Sequence, residues 1–178
     1  MGSNLSIPET AYSMPASYEA IFSSLEAIKA LVEANPDLIR KQDQYGRLLF
    51  HIACGNRNAS HEVIRFLYEA YPEAIYVGDR DGNTPLDYAC IASHSLDMIK
   101  TLLEYYPGAV SIKDKYGKLA LHHACGFSSE KVIEILKLKY LEAVNVEDKY
   151  GKRPLYYEAI RYMNKNEDDN LFTTRRAF

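Results

Sequence analysis

D-R-D-G-N-T-P-L-D-Y-A-C, from Asp79 to Cys90, stands at the centre of a series. Upstream, Asp43 to Cys54 reads D-Q-Y-G-R-L-L-F-H-I-A-C; downstream, Asp114 to Cys125 reads D-K-Y-G-K-L-A-L-H-H-A-C, and Asp148 to Ala159 reads D-K-Y-G-K-R-P-L-Y-Y-E-A. In each copy an aspartate stands three residues before a glycine: Gly46, Gly82, Gly117 and Gly151. That pairing supplies a side-chain acceptor and then a residue that tolerates positive φ, which predicts a tight turn. A helix should follow at once. In the second copy Thr84 is placed to cap it, and Pro85 takes the first helical position, where a missing N–H matters little.

The four glycines are 36, 35 and 34 residues apart, and internal repetition at such a period points to a solenoid. The second half of each unit carries an amphipathic stripe at i, i+3, i+4 and i+7: Ile64, Leu67, Tyr68 and Tyr71, then Ile99, Leu102, Leu103 and Tyr106. Ile133, Leu136 and Tyr140 continue it with a lapse at Lys137. Tyr71-Pro72 and Tyr106-Pro107 should end those helices, because proline pushes its predecessor out of the α region. The unit is therefore turn, helix, loop, helix, exit.

Turn glycine, T-P-L-x-x-A, two helices and a period near the ~33 of that family make the chain resemble an ankyrin-repeat protein. The resemblance implies an all-α solenoid with β-turn tips. His51 and His122 stand at the family's T-P-L-H histidine, which it implies is partly buried and hydrogen-bonded. Leu86, Leu121 and Leu155 hold its leucine, with Phe50 in the first copy. Leu48-Leu49, Leu119-Ala120 and Arg153-Pro154 replace Thr-Pro, so a lost threonine cap should cost those helices ~1 kcal/mol each. Tyr-Pro replaces the family's glycine after the second helix.

The order along the chain is then a disordered segment 1–16, N-terminal capping helices over 17–42, repeats at 43–78, 79–113 and 114–147, a partial repeat at 148–166 and a tail at 167–178. Tyr18, Ile21 and Phe22 should lie in the first capping helix. Glu158 replaces the stacking alanine, which fits either an array that ends there or an unfinished repeat of a longer one. A net charge of −3 argues against a generally basic nucleic-acid binder. No apolar run approaches a membrane span, and no secretory leader pattern opens the chain. Cys54, Cys90 and Cys125 share one repeat position and read as small core residues. The expected site of action is the cytoplasm or the nucleus. Gly2 with Ser6 matches a short myristoylation pattern without a following basic cluster.

His51/Cys54 and His122/Cys125 are spaced for a zinc pair or an imidazole-activated thiol. Packing explains a repeated position better, and no phosphate, metal or nucleophile motif is present. No catalytic residue, metal or cofactor is expected, and a zinc- or cysteine-dependent enzyme is the remotest alternative. Function then falls to the surface. In the family this chain resembles, turn tips and first helices hold partner proteins, here Gln44, Tyr45, Arg47; Arg80, Asp81, Asn83; Lys115, Tyr116, Lys118; and Lys149, Tyr150, Lys152. Six of these twelve are Lys or Arg and only Asp81 is acidic, so the edge should steer an acidic partner. Ile52, Tyr88, Ile91, His123, Phe127 and Tyr157 would extend it along the helices. The expectation is a monomeric, non-catalytic scaffold that binds an acidic, apolar protein or peptide. A module for phosphopeptide, inositol-lipid headgroup or nucleic acid is the alternative from the same cations.

Overall fold

The computed structural model describes residues 21–174, with side chains as far as Asn164. The helices are α1 (Leu25–Ala34), α2 (Leu49–Cys54), α3 (His61–Ala70), α4 (Pro85–Ile91), α5 (Leu96–Tyr105), α6 (Ala120–Phe127), α7 (Glu130–Lys139) and α8 (Pro154–Thr174). The short helices α2, α4, α6 and the start of α8 stack in one row, and the longer α1, α3, α5 and α7 stack behind them. One continuous apolar core lies between the rows. Its centre is the repeated alanine and cysteine, Ala53-Cys54, Ala89-Cys90 and Ala124-Cys125, all fully buried, where small side chains let helices approach closely. Phe22 is buried and Ile21 packs against the core from the helical end at residues 21–23; Tyr18, Gly2 and the segment 1–16 lie outside the described residues.

Each turn is built by its aspartate. The Asp43, Asp79, Asp114 and Asp148 backbone amides donate to the carbonyl four residues on, and each turn glycine's N–H donates back to the aspartate carbonyl at 2.9–3.0 Å. One carboxylate oxygen accepts from the N–H groups two and four residues on at 2.8–2.9 Å. Gly46, Gly82, Gly117 and Gly151 have φ of +79°, +81°, +78° and +68°. Neighbouring turns are joined by single backbone bonds: Arg80 N–H to Tyr45 O, Lys115 N–H to Asp81 O and Lys149 N–H to Tyr116 O, at 2.9, 2.6 and 2.8 Å.

This ladder makes the glycines unequal. A Cβ on Gly46 would lie 2.8 Å from the Arg80 nitrogen that bridges the first two turns, whereas a Cβ on Gly151 would meet nothing within 4 Å. Gly151→Ala should therefore cost only the left-handed backbone penalty, about 1 kcal/mol, and Gly46→Ala that penalty plus a displaced inter-turn bond, about 2–3 kcal/mol. Urea unfolding of the two variants checks this, and equal losses would refute the ladder's contribution.

The first helices of the first and third repeats start without the threonine that Leu48 and Leu119 replace and without a side-chain cap, but the backbone N–H of the N-cap residue itself is bonded. The Leu48 N–H donates to Nδ1 of His51 at 3.2 Å and the Leu119 N–H to Nδ1 of His122 at 3.0 Å, as the Thr84 N–H donates to the Asp87 carboxylate at 2.7 Å. The histidines are fully buried rather than partly so. The histidine thus does for the N-cap amide what Asp87 does in the second copy, whereas the Thr84 hydroxyl that accepts the Asp87 N–H has no counterpart at Leu48 or Leu119. The second helices start on serine: Oγ of Ser24, Ser60 and Ser95 each accepts an N–H three residues on at 3.3 Å. Asn35-Pro36, Tyr71-Pro72 and Tyr106-Pro107 end the first three and Tyr140-Leu141 the fourth, and each exit is itself ordered as a 3-10 turn, Pro36–Ile39, Pro72–Tyr76, Pro107–Ser111 and Leu141–Asn145. Helix α8 runs on to Thr174 instead of stopping near 166, since no glycine or proline follows Pro154 to end it.

Candidate functional site

The second oxygen of each turn aspartate decides which side chains remain available at the tips. Asp43 holds Arg47, with Nε and a terminal nitrogen both at 2.7 Å. In the other copies the partner comes from the first helix, nine residues after the aspartate. The Tyr88 hydroxyl donates to Asp79 at 2.7 Å, His123 Nε2 lies 3.3 Å from Asp114, and the Tyr157 hydroxyl donates to Asp148 at 2.5 Å. These residues latch each turn onto its helix. Burial opposes ionisation of Asp43, Asp114 and Asp148, but the bonds from Arg47, His123 and Tyr157, with those of the turn N–H groups, outweigh it and hold the three carboxyls below the usual range.

The latch withdraws some of the residues expected at the contact surface. Tyr88 is only 6% exposed and Asn83 is buried, its amide donating to both oxygens of Asp79. His123 is buried as well, Ile52 too, and Tyr157 is half-buried. Ile91 is half-buried, while Phe127, Tyr45 and Tyr150 are exposed. Tyr116 is half-buried and lies nearly parallel to Tyr150, ring centroids 6.5 Å apart.

The six tip cations separate in the same way. Arg47 is bound to Asp43 and lies over the Tyr45 ring at 5.0 Å. Lys115 meets Asp81 of the preceding turn at 2.5 Å and lies over Tyr116 at 4.8 Å; its hydrogen bonds to Asp81 and Tyr116 push its pKa up. Lys118 and Lys152 lie over the rings of Tyr157 and Tyr156 at 4.4 and 4.3 Å. Among the described residues Arg80 makes no side-chain bond or ion pair, and it rims a cleft of about 390 Å³ between the first two tips, with Tyr45, Arg47, Asp79 and Tyr88. Asp79 faces that cleft with both oxygens already bonded to neutral donors, so it offers Arg80 no open hydrogen-bond acceptor, and the Arg80 guanidinium stands at the rim beside this carboxylate.

Residues 16–114 match the family described as ankyrin repeats, in three copies. The chain is an ankyrin-repeat protein. The family match ends at Asp114, and the two further Asp-to-Gly turns at 114 and 148 carry the same bonding beyond it. Ankyrin repeats are in general protein–protein interaction modules, and the family is typically a non-catalytic scaffold. No curated protein matches the chain. No helix among the described residues is long and apolar enough to cross a membrane.

The His/Cys pairs of the ankyrin array have their own geometry. His51 Nε2 donates to the Val77 carbonyl at 2.9 Å while Nδ1 accepts from Leu48, so both ring nitrogens are bonded to backbone. Burial lowers its pKa to about 4. The three thiols are buried and free, and burial raises all of them, Cys125 to about 11, which is the reverse of an activated nucleophile.

Proposed function

We propose that the protein binds a partner protein or peptide along the turn-tip edge, through Tyr45, Arg80, Lys115, Tyr116, Lys149 and Tyr150, and that the contacted segment combines acidic and apolar residues. The observation that supports this reading is the exposed Tyr45 in a cleft rimmed by Arg80, a tip cation with no side-chain bond or ion pair among the described residues, on a backbone ladder rigid enough to hold their spacing. Phe127 and Ile91 extend the surface along the first-helix row. Arg47 and Lys118 contribute mainly by fixing Tyr45 and Tyr157, and Lys152 by covering Tyr156. The protein works as a scaffold in the cytoplasm, where its free thiols stay reduced.

Charge reversal separates these roles. Arg80→Glu with Lys149→Glu should leave the fold intact, because among the described residues neither side chain makes a bond or ion pair, and should lower partner capture from cell extract at least about tenfold at low salt while abolishing its salt dependence. Capture unchanged in amount and in salt dependence would overturn the edge as the binding surface. Capture replaced by retention on an immobilised inositol phosphate would favour the anion-binding alternative.

A further inference from the structure

The second-helix row carries a tyrosine pair that the repeat motif does not explain. Aligning the units on Ile64 and Ile99 sets Tyr68 against Leu103 and Tyr105 against Ala70, so the two tyrosines are not copies of one another. They nevertheless meet. From α3 and α5 they bring their rings together face to face, with centroids 3.9 Å apart and planes within 4° of parallel, and each ring is half-buried against the core. Three other tyrosine pairs among the described residues approach differently. Tyr76 and Tyr106 meet edge to face at 66°, Tyr156 and Tyr157 at 89°, and Tyr116 and Tyr150 stay 6.5 Å apart. In the parallel stack, carbons of one ring lie at van der Waals distance from carbons of the other, close to the separation from which a bond between them forms. Burial first, and the Glu69 carboxylate second, push the pKa of the Tyr105 phenol up against the pull of Arg65, so the hydroxyl keeps its proton until oxidation removes it.

We propose that Tyr68 and Tyr105 are a site of oxidative cross-linking, at which a haem peroxidase with hydrogen peroxide joins the two rings as dityrosine. The oxidant takes one electron and one proton from each phenol. The two phenoxyl radicals then couple through ring carbons next to the oxygens, and each coupled carbon passes its proton to the neighbouring oxygen as the ring regains its aromatic form. One carbon–carbon bond forms, two hydrogen atoms leave, and one hydrogen peroxide is reduced to two waters. Selectivity comes from the coupling step. A radical formed at any exposed tyrosine exchanges with other phenols, but the bond needs two rings in contact, and a pair held together outcompetes a second chain in dilute solution. The bond ties the first complete unit to the second and so restricts the unfolded chain, as a cross-link does. These are the two units whose tips flank the Arg80 cleft.

The test oxidises the whole native chain, at low micromolar concentration, with a haem peroxidase and limiting hydrogen peroxide. The expected product runs as a single chain on a denaturing gel and shows dityrosine fluorescence. Tryptic digestion should release residues 66–80 joined to residues 101–113, two hydrogen atoms lighter than their sum. Those peptides also hold Tyr71, Tyr76 and Tyr106, so variants assign the bond. Tyr68→Phe and Tyr105→Phe each keep a ring to stack but lack the oxygen that carries the radical, and each should lower the yield of joined peptides at least about tenfold. Tyr76→Phe should leave that yield unchanged. Joined peptides that persist in Tyr68→Phe, oxidation that links only one chain to another, or peroxide consumed with no dityrosine formed would each overturn the assignment.

Discussion

Replacing Asp87 by asparagine is expected to stabilise the ankyrin array by about 2 kcal/mol at pH 7. Asp87 stands where the first and third repeats have histidine, and it is fully buried. One of its oxygens accepts from the Thr84 N–H and hydroxyl, both at 2.7 Å; the other has no partner among the described residues. Burial pushes the carboxyl from its ordinary 3.8 up to about 6, against the pull of His123 and of the Thr84 bonds. The folded chain therefore holds this proton more tightly than the unfolded chain does. Its contribution is undiminished below about 4, is lost as pH rises through 6, and by pH 7 amounts to a penalty of about 3 kcal/mol. Asparagine keeps the acceptor for Thr84 and carries no charge, and its amide leaves a buried donor worth about 1 kcal/mol against it. The gain should show in urea unfolding at pH 7 and shrink to nothing or reverse near pH 4. A gain of the same size at both pH values would mean that the buried charge is not its source.

The fold could be read from the chain because the information sits in residues close together. Asp43 to Gly46 and its three copies form their turns from atoms within four residues, and the isoleucines at 28, 64, 99 and 133 mark the buried side of helices whose own periodicity reveals them. One local signal went unread: Ser24, Ser60, Ser95 and Ser129 each stand four residues before those isoleucines, and the first three cap their helices. The surface was less legible. Tyr88 looks like a contact residue until the helix folds back and its hydroxyl reaches a carboxylate nine residues earlier. Lys115 and Arg80 are both exposed tip cations in sequence, and only the stacked turns show that Lys115 meets an aspartate 34 residues away while Arg80 meets none. Which charges remain free is a property of the stack. Leu155 likewise reads as a core leucine by its place in the motif, and it is exposed.

His51→Ala should have the opposite sign to the asparagine variant and a larger size, a loss of about 3–5 kcal/mol at pH 7. The ring is fully buried, joins the start of its own helix at Leu48 to the Val77 carbonyl that precedes the next turn, and packs edge-on against Tyr88 at a centroid distance of 5.6 Å. Alanine leaves an amide and a carbonyl unpaired in the core and a void between two repeats. His51→Asn, which keeps an acceptor for Leu48 but is too short to span to Val77, should lose about half as much, separating the cap from the inter-repeat tie. The two variants at the equivalent positions 51 and 87 then tilt in opposite directions with pH. Burial lowers His51 from 6.5 to about 4, so its stabilising contribution is complete above 6.5 and is lost as pH falls toward 4. Relative to the parent chain, the deficit of His51→Ala should therefore narrow on acidification by up to about 3 kcal/mol, over the same window in which the advantage of Asp87→Asn disappears. Parallel urea titrations of the three chains at pH 7 and pH 4.5 measure both slopes. A His51→Ala deficit that stays constant between those pH values would show that the ring is not held neutral by its burial, and that its place in the array rests on shape alone.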